Sequence, residues 1–186
     1  MVDKEKVKKL IYELLVAIGE DPNRSGLLDT PRRVADMLEE LCSGMGEDVK
    51  KHVKIFTDES HYDEVILVKD IPFSSTCEHH LLPFVGVVHI AYIPSMGKVI
   101  GLSKLARIVG SFSKRIQVQE KLTSEIADFI NNELEPHGVA VAIDAEHTCM
   151  TVRGTRAIGS KTKTIAFRGN ARTKEKIRSE IFELLN

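Results

Sequence analysis

Apolar residues recur at helical spacing near both ends of the chain. Between residues 3 and 18 they occupy every third or fourth position (Val7, Leu10, Ile11, Leu14, Leu15 and Ile18), with lysine and glutamate between them. This period predicts a helix that Gly19 ends. Thr30 followed by Pro31 predicts a second helix with Thr30 as its N-cap. Residues 47–56 suggest a short helix, and a last helix is predicted after a Thr173 cap.

From residue 65 the pattern changes to runs and alternations of β-branched and apolar residues, which are typical of strands. The first predicted strand covers residues 65–71 and is ended by Pro72, and the second covers Pro83 to Pro94. Two helices follow, one capped by Ser103 and one over residues 120–134. Further strands are predicted over 139–146 and 149–153, and the alternating segment 162–168 continues or pairs with them.

Strands and helices therefore come in blocks, which predicts an α+β fold rather than an alternating α/β fold. The order is N-terminal helices, then an antiparallel four-stranded sheet with two helices between its second and third strands. We expect an N-terminal helical region over residues 1–60 and a second unit over residues 61–186. Because such a sheet leaves exposed edges, we expect oligomerisation to cover them.

Composition narrows the class of protein. The 186 residues are 42% hydrophobic and 28% charged, with a formal net charge of −1, so no bulk charge attracts nucleic acid or a membrane surface. No apolar run reaches membrane-spanning length. Three cysteines are an odd number, which argues against a disulfide framework. These features predict a cytoplasmic protein with free thiols.

Metal-ligand residues stand in two places. Cys77 and His80 lie three apart and can reach one ion from a tight turn, while His147 and Cys149 share a face if their segment is a strand. Two cysteines with histidine are typical of zinc sites. Cys77, His80 and Cys149 make three ligands, the number that leaves a fourth position open for water.

On this interpretation His79 and His147 are proton carriers beside the metal. Two alternatives remain open at this point. Cys77 can instead be a small buried apolar residue, and His79 as a fourth ligand would give a closed, structural site.

Three further groups are candidates for binding a ligand. Lys104 and Arg107 share a helix face near its N-terminus, as in a phosphate site, although a solvated helix face has the same pattern. Gln119 and Glu120 pair a carboxamide with a carboxylate, which together can hydrogen-bond a purine edge; an ordinary helix N-terminus also has this pattern. Arg153 follows Cys149 by four residues on the same face of the predicted strand, so its charge points toward the metal.

Several segments together resemble the GTP cyclohydrolase I family. They are 75–84 (STCEHHLLPF), 91–94 (AYIP), 99–109 (VIGLSKLARIV), 117–120 (QVQE) and 146–150 (EHTCM) with Arg153-Gly154, and the N-terminal segments 21–27 and 30–33 are also similar. The resemblance covers nearly the whole chain.

The resemblance implies conversion of GTP and water to 7,8-dihydroneopterin triphosphate and formate, the entry step to folate and other pterins. It implies the tunnelling fold (T-fold), in which the sheets of several subunits close into a barrel. The assembly would be a homodecamer with active sites at subunit interfaces.

The resemblance also implies a role for each matching residue. Zn²⁺ would be bound by Cys77, His80 and Cys149, and a zinc-activated water would attack C8 of guanine. Proton transfer would fall to His79 and His147, and Ser103 would assist at the ribose. Guanine would be held by Glu120 and Gln119, and the triphosphate by Lys104, Arg107 and Arg153.

Two other functions compete with this one. A non-catalytic zinc- and nucleotide-binding module would keep the metal and the oligomer without turnover. A related T-fold enzyme acting on another pterin or purine would keep Glu120 with different metal ligands.

Overall fold

A computed structural model describes residues 2–57 and 62–185. Two packed helices open the chain, α1 (Lys4–Ala17) and α2 (Thr30–Leu41). Both were predicted, but Thr30 is the first residue of α2 rather than its N-cap. Asp29 occupies the cap position without a side-chain bond, and Thr30 instead accepts a hydrogen bond from the Arg33 side chain.

Seven strands follow along the described chain. They are β1 (Ile55–Thr57), β2 (Ile66–Cys77), β3 (Pro83–Ile93), β4 (Lys98–Ile100), β5 (Ile116–Gln117), β6 (Gly138–His147) and β7 (Thr162–Gly169). The main sheet has the order β5-β2-β3-β6-β7, with a parallel β2–β5 pair and antiparallel pairs elsewhere. A separate antiparallel pair joins β1 to β4. Its strands β2-β3-β6-β7 form a four-stranded antiparallel sheet as predicted, with β7 in the place of the strand predicted over 149–153, and the short β1, β4 and β5 were missed.

Strand β2 continues through Pro72, although the sequence pattern predicted that the strand would end there. Proline lacks a backbone N–H and is tolerated at a strand edge. Because β5 pairs only with Thr76 and Cys77, the outer edge of β2 has no described strand partner at Pro72. The strand therefore continues to Cys77.

Five further helices complete the described fold. They are α3 (Leu102–Ser113), α4 (Gln119–Leu134), α5 (Thr148–Thr151), α6 (Asn170–Thr173) and α7 (Glu175–Leu185). Two predicted caps are wrong. Gly101 is the N-cap of α3 instead of Ser103, and Thr173 is the last residue of α6. The segment predicted as a helix over 47–56 contains a 3₁₀ turn, Val49–His52, followed by β1.

The segment after His147 was predicted as a strand over residues 149–153, and this is wrong. It forms the single turn α5 and then irregular structure. Strand β3 begins at Pro83 and its last pairing with β6 is Phe84 with His147. Beyond His147 the chain has no neighbouring strand to hydrogen-bond, so it turns.

Both faces of the sheet are covered by helices to different extents. On one face, Ile90, Tyr92 and Val141 pack with α3 and α4 in the main core. On the other, Ala91, Ala140 and Ala142 pack against Ala171 of α6 and the apolar side of α7. This alternation follows from the opposite directions of successive strand side chains. Small alanines on the second face allow α6 and α7 to lie close to the sheet.

An acidic residue ties the 3₁₀ turn to α3. The Glu47 carboxylate lies 2.7 Å from Lys51 Nζ and 3.2 Å from His52 Nε2. A hydrogen bond from Lys51, then bonds from Ser111 and His52, lower the pKa of Glu47 to about 2 against the opposing effect of burial.

Among residues 2–57 and 62–185, no helix is both long and apolar enough to cross a membrane. The boundary predicted at residues 60 and 61 falls outside these ranges.

Candidate metal centre

Cys77 and His80 lie on the connection between β2 and β3. Cys77 is the last residue of β2, and its N–H donates to the Leu82 carbonyl at 2.8 Å. The Leu81 N–H donates back to the Cys77 carbonyl at 2.9 Å, and Leu81 has a positive φ of 55°. These bonds close a tight turn, as the spacing of the two ligands predicted.

Cys149 reaches the same turn through the pairing of β3 with β6. The register places His147 opposite Phe84, one residue after the turn ends. The Thr148 hydroxyl then donates to the Pro83 carbonyl at 2.6 Å. This bond fixes α5 against the start of β3, which brings the Cys149 thiol to Cys77 although 72 positions separate them in the numbering.

The ligand atoms of Cys77, His80 and Cys149 all lie within 4.8 Å of one another. Atoms bound at 2.0–2.3 Å to a tetrahedral zinc ion lie roughly 3.3–3.8 Å apart. A small inward movement of these three side chains is therefore enough for all of them to bind one zinc ion. Two thiols with one imidazole suit zinc. Burial, then the neighbouring Cys77 thiol, raise the pKa of Cys149. A cation between the two sulfurs would reverse that effect, so the donor set fits a metal ion.

Arg153 lies beside this cluster, although not on a strand. Its Nη1 donates to Nε2 of His80 at 2.9 Å. The neighbouring His79 is exposed, with its ring centroid 6.3 Å from that of His80 in an edge-on arrangement. Within the described residues the ligand cluster contains His80 and not His79. His79 is thus available to a bound molecule.

His147 lies half-buried at the end of β6. Its ring stacks on Phe84, with centroids 4.7 Å apart and planes 2° from parallel. Its Nε2 lies 2.8 Å from Oε1 of Gln119. Burial lowers the pKa of His147, and the negative charge of Glu120 opposes this shift. The ring is therefore held in place and favoured in its neutral form.

Gln119 and Glu120 begin α4 and point in different directions. Gln119 is 1% exposed. Its amide lies within hydrogen-bond distance of four groups, which are the Ile143 and Thr162 carbonyl oxygens, the Thr164 hydroxyl and the His147 ring. Glu120 is exposed and lines a cavity of about 390 Å³ together with Arg168 and Arg172. The two adjacent polar residues thus have different surroundings, which the sequence did not indicate.

Ser103, Lys104 and Arg107 lie on the first two turns of α3, with Ser103 and Arg107 exposed. In the described part of the chain, neither Lys104 nor Arg107 has an ion-pair partner. Many other cations of the protein are paired, for example Lys4 with Asp36 at 2.7 Å. The two cations of α3 are therefore open to an anionic ligand.

Two supporting residues were missed by the sequence analysis. Thr148 anchors α5, and Phe84 carries the ring of His147. The sequence could have indicated both residues, because they lie next to the candidate site residues in the segments 146–150 and 75–84. Their contacts depend on strand register, which single-sequence patterns do not specify.

Comparison with known proteins matches the chain to one family and to relatives that share one name. Residues 7–186 match the family described as GTP cyclohydrolase I. A protein named GTP cyclohydrolase 1 from Caldanaerobacter subterraneus subsp. tengcongensis is 60% identical over all 186 residues and 98% of its own length. One of the same name from Bacillus subtilis is 54% identical over 98% of this chain and 95% of its own.

A solved structure, that of the archaeosine synthase QueF-Like in its apo form, aligns with a TM-score of 0.47 at 20% identity. It covers 56% of this chain and 93% of its own.

Proposed function

The chain belongs to the GTP cyclohydrolase I family, and we propose that it converts GTP and water to 7,8-dihydroneopterin triphosphate and formate at a zinc centre. The observation that carries the metal part of this proposal is the cluster of Cys77, His80 and Cys149, with ligand atoms within 4.8 Å. Three protein ligands leave a fourth coordination position for water or substrate, as catalytic zinc sites do. A fourth protein ligand would have closed the site.

When bound, zinc supplies Lewis acidity that activates water for attack on the imidazole ring of GTP. The histidines beside the metal then move protons. His147 has a lowered pKa and is held by Phe84 and Gln119, so it accepts a proton at neutral pH. His79 is exposed next to the ligand His80 and supplies a second carrier. Two carriers suit a reaction that opens one ring and releases formate.

The substrate is held by groups spread around the metal cluster. Glu120 is the exposed carboxylate that accepts from the N–H groups of guanine. Lys104 and Arg107 bind the triphosphate with cations that the described chain leaves unpaired. Arg153 lies beside His80 and binds a phosphate oxygen near the metal. Ser103, on the same turn as Lys104, acts at the ribose.

A neighbouring copy of the chain would complete the site. The outer edge of β7 has no described strand partner, and the apolar side chains of Leu81, next to His80, and Val152, three residues after Cys149, are 62% and 63% exposed. Exposed apolar side chains beside a site and open sheet edges favour association. These features support association of copies of the chain; the T-fold barrel, the homodecamer and active sites at subunit interfaces are the form of association that the family resemblance implies. All three cysteines are free, which fits a reducing cytoplasm.

The test is to incubate the protein with GTP and follow formate together with the fluorescence of the oxidised pterin. We expect both products in equal amounts, their loss with a chelator and their return with zinc. Formate without pterin would contradict the proposed completion of the reaction and the role of Ser103. Neither product from zinc-loaded oligomeric protein would overturn the proposal.

A further inference from the structure

The side chain of Gln119 is held in one orientation by groups that can only accept hydrogen bonds. Its Nε2 lies 3.0 Å from the Ile143 carbonyl oxygen and 3.0 Å from the Thr162 carbonyl oxygen. An amide nitrogen donates and a carbonyl oxygen accepts, so these two contacts identify the nitrogen end of the amide. The reverse orientation would place the Gln119 oxygen against two other oxygens.

Two threonines complete this network. The Thr123 hydroxyl donates to the Gln119 main-chain carbonyl at 2.7 Å, which uses its only proton. The short contact of 2.6 Å between Thr123 Oγ1 and Thr164 Oγ1 is therefore donated by Thr164. Thr164 Oγ1 also lies 3.1 Å from Gln119 Nε2, whose two protons are shared among this hydroxyl and the two carbonyl oxygens. Every polar atom in the network has a partner, so the orientation of the amide is strongly specified.

The orientation of Gln119 determines where His147 carries its proton. Gln119 Oε1 faces His147 Nε2 at 2.8 Å and can only accept, so Nε2 must donate. The stack on Phe84 fixes the plane of the ring. A neutral imidazole with a proton on Nε2 has its lone pair on Nδ1. Among the described residues, Nδ1 has no hydrogen-bond partner.

We propose that Gln119 is a positioning residue that holds His147 as the Nε2–H tautomer, so that Nδ1 is the atom that exchanges protons with the substrate. This role rests on the proposed function for its catalytic consequence, but not for the tautomer itself. It replaces the guanine contact that the sequence suggested for Gln119, because both ends of the amide are already engaged. Guanine recognition by the adjacent pair then falls to Glu120 alone.

The tautomer can be measured directly in zinc-loaded protein without GTP. With ¹⁵N-labelled histidine, at a pH where the ring is neutral, we expect the His147 proton on Nε2 and protected from exchange with water. A His147→Gln variant assigns the signal by removing it. In Gln119→Met, which keeps a similar shape without the acceptor, we expect proton exchange at least about tenfold faster, because the hydrogen bond is lost.

A matched control is Gln117→Met. Gln117 is also 1% exposed and its amide also bonds internally, to the Phe112 carbonyl and Ser75, but it does not touch His147. We expect this variant to leave the His147 signal and the kcat for GTP within about threefold of the parent. The Gln119→Met variant should lower kcat about tenfold or more while KM stays within about threefold. Equal melting temperatures of the two variants would exclude a general loss of folding.

Three outcomes would overturn the inference. They are a His147 proton on Nδ1 in the parent, an unchanged Nε2 signal in Gln119→Met, and a raised KM with unchanged kcat in that variant, which would indicate guanine binding by Gln119. Failure of the proposed function looks different. The parent would then have the Nε2 proton but release neither formate nor pterin from GTP.

Discussion

Replacing Gly86 with alanine tests how closely β3 and β6 must approach to build the site. A Cβ at this position would lie 1.9 Å from the Asp144 carbonyl oxygen and 2.7 Å from the Ala145 Cα, both in the backbone of β6. Since Cβ contacts under 3.0 Å are essentially never observed, the carbonyl must retreat by about 1.1 Å. Phe84, two residues before Gly86, pairs with His147. We therefore expect the same movement to shift His147 relative to Phe84, on which its ring stacks.

The cost follows from the bonds that such a movement breaks. A shift of that size takes hydrogen bonds near 2.9 Å out of range, and each contributes about 0.5–1.5 kcal/mol. Two or three lost ladder bonds and the strain beside them lower the free energy of unfolding by about 2–4 kcal/mol. Gly110→Ala is the control, because a Cβ there meets nothing within 4 Å and lies inside α3. Alanine should stabilise that helix by about 0.5–1 kcal/mol.

The assay is urea unfolding of both variants and the parent at one protein concentration, since association shifts the midpoint. We expect a lower midpoint and a loss of formate release for Gly86→Ala, and neither for Gly110→Ala. If the two variants unfold at the same urea concentration, the close approach of β3 and β6 is not required and the reasoning is wrong.

Three other substitutions test separate parts of the account. Cys149→Ser should lose zinc at chelator concentrations at least about tenfold lower than the parent does, because a ligand is lost. Cys42→Ser is the control, since this half-buried thiol lies outside the ligand cluster, and it should keep its metal. Equal loss of zinc from both variants would contradict the ligand assignment. Arg107→Gln should raise KM for GTP about tenfold or more at similar kcat, because a charge-assisted bond to phosphate is lost, and the exposed Lys121→Gln should not. Glu47→Gln should lower the free energy of unfolding by about 1–2 kcal/mol at pH 7. Because folding lowers the pKa of Glu47 to about 2, the stabilisation by this carboxylate is present above pH ~5 and is lost as the pH falls toward 2. A gap between parent and Glu47→Gln that does not narrow over that range would show that this carboxylate has no stabilising role.

The three candidate metal ligands could be picked out from the sequence because cysteine and histidine are uncommon residues and two of the three lie close together in the chain. Cys77 and His80 are three apart, and any tight turn brings them together. Cys149 was assigned by its donor type and then by family resemblance, and the structure brings its thiol to the other two. The structure brings the three side chains together, as the sequence predicted, although the stated reason, a shared strand face with His147, was wrong. The β3–β6 register and the Thr148 bond to Pro83 join the ligands instead. Their binding of a metal stays a prediction.

The errors have a common physical cause. Pro72, Ser103 and Thr173 were assigned from residue preference alone, whereas strand pairing and the path of the chain decide where each element begins and ends. The different surroundings of Gln119 and Glu120 also depend on tertiary packing, because adjacent residues on a helix face different directions. Sequence patterns identified the polar pair but not which member is buried.

The most direct test of the zinc centre is the X-ray absorption spectrum of the zinc-loaded protein without substrate. We expect two sulfur ligands from Cys77 and Cys149, one imidazole from His80, and one oxygen ligand from water at the open fourth position. That position should change when GTP is added. A spectrum with two imidazoles, unchanged by GTP, would mean that His79 closes the site, and it would contradict the catalytic role of the metal.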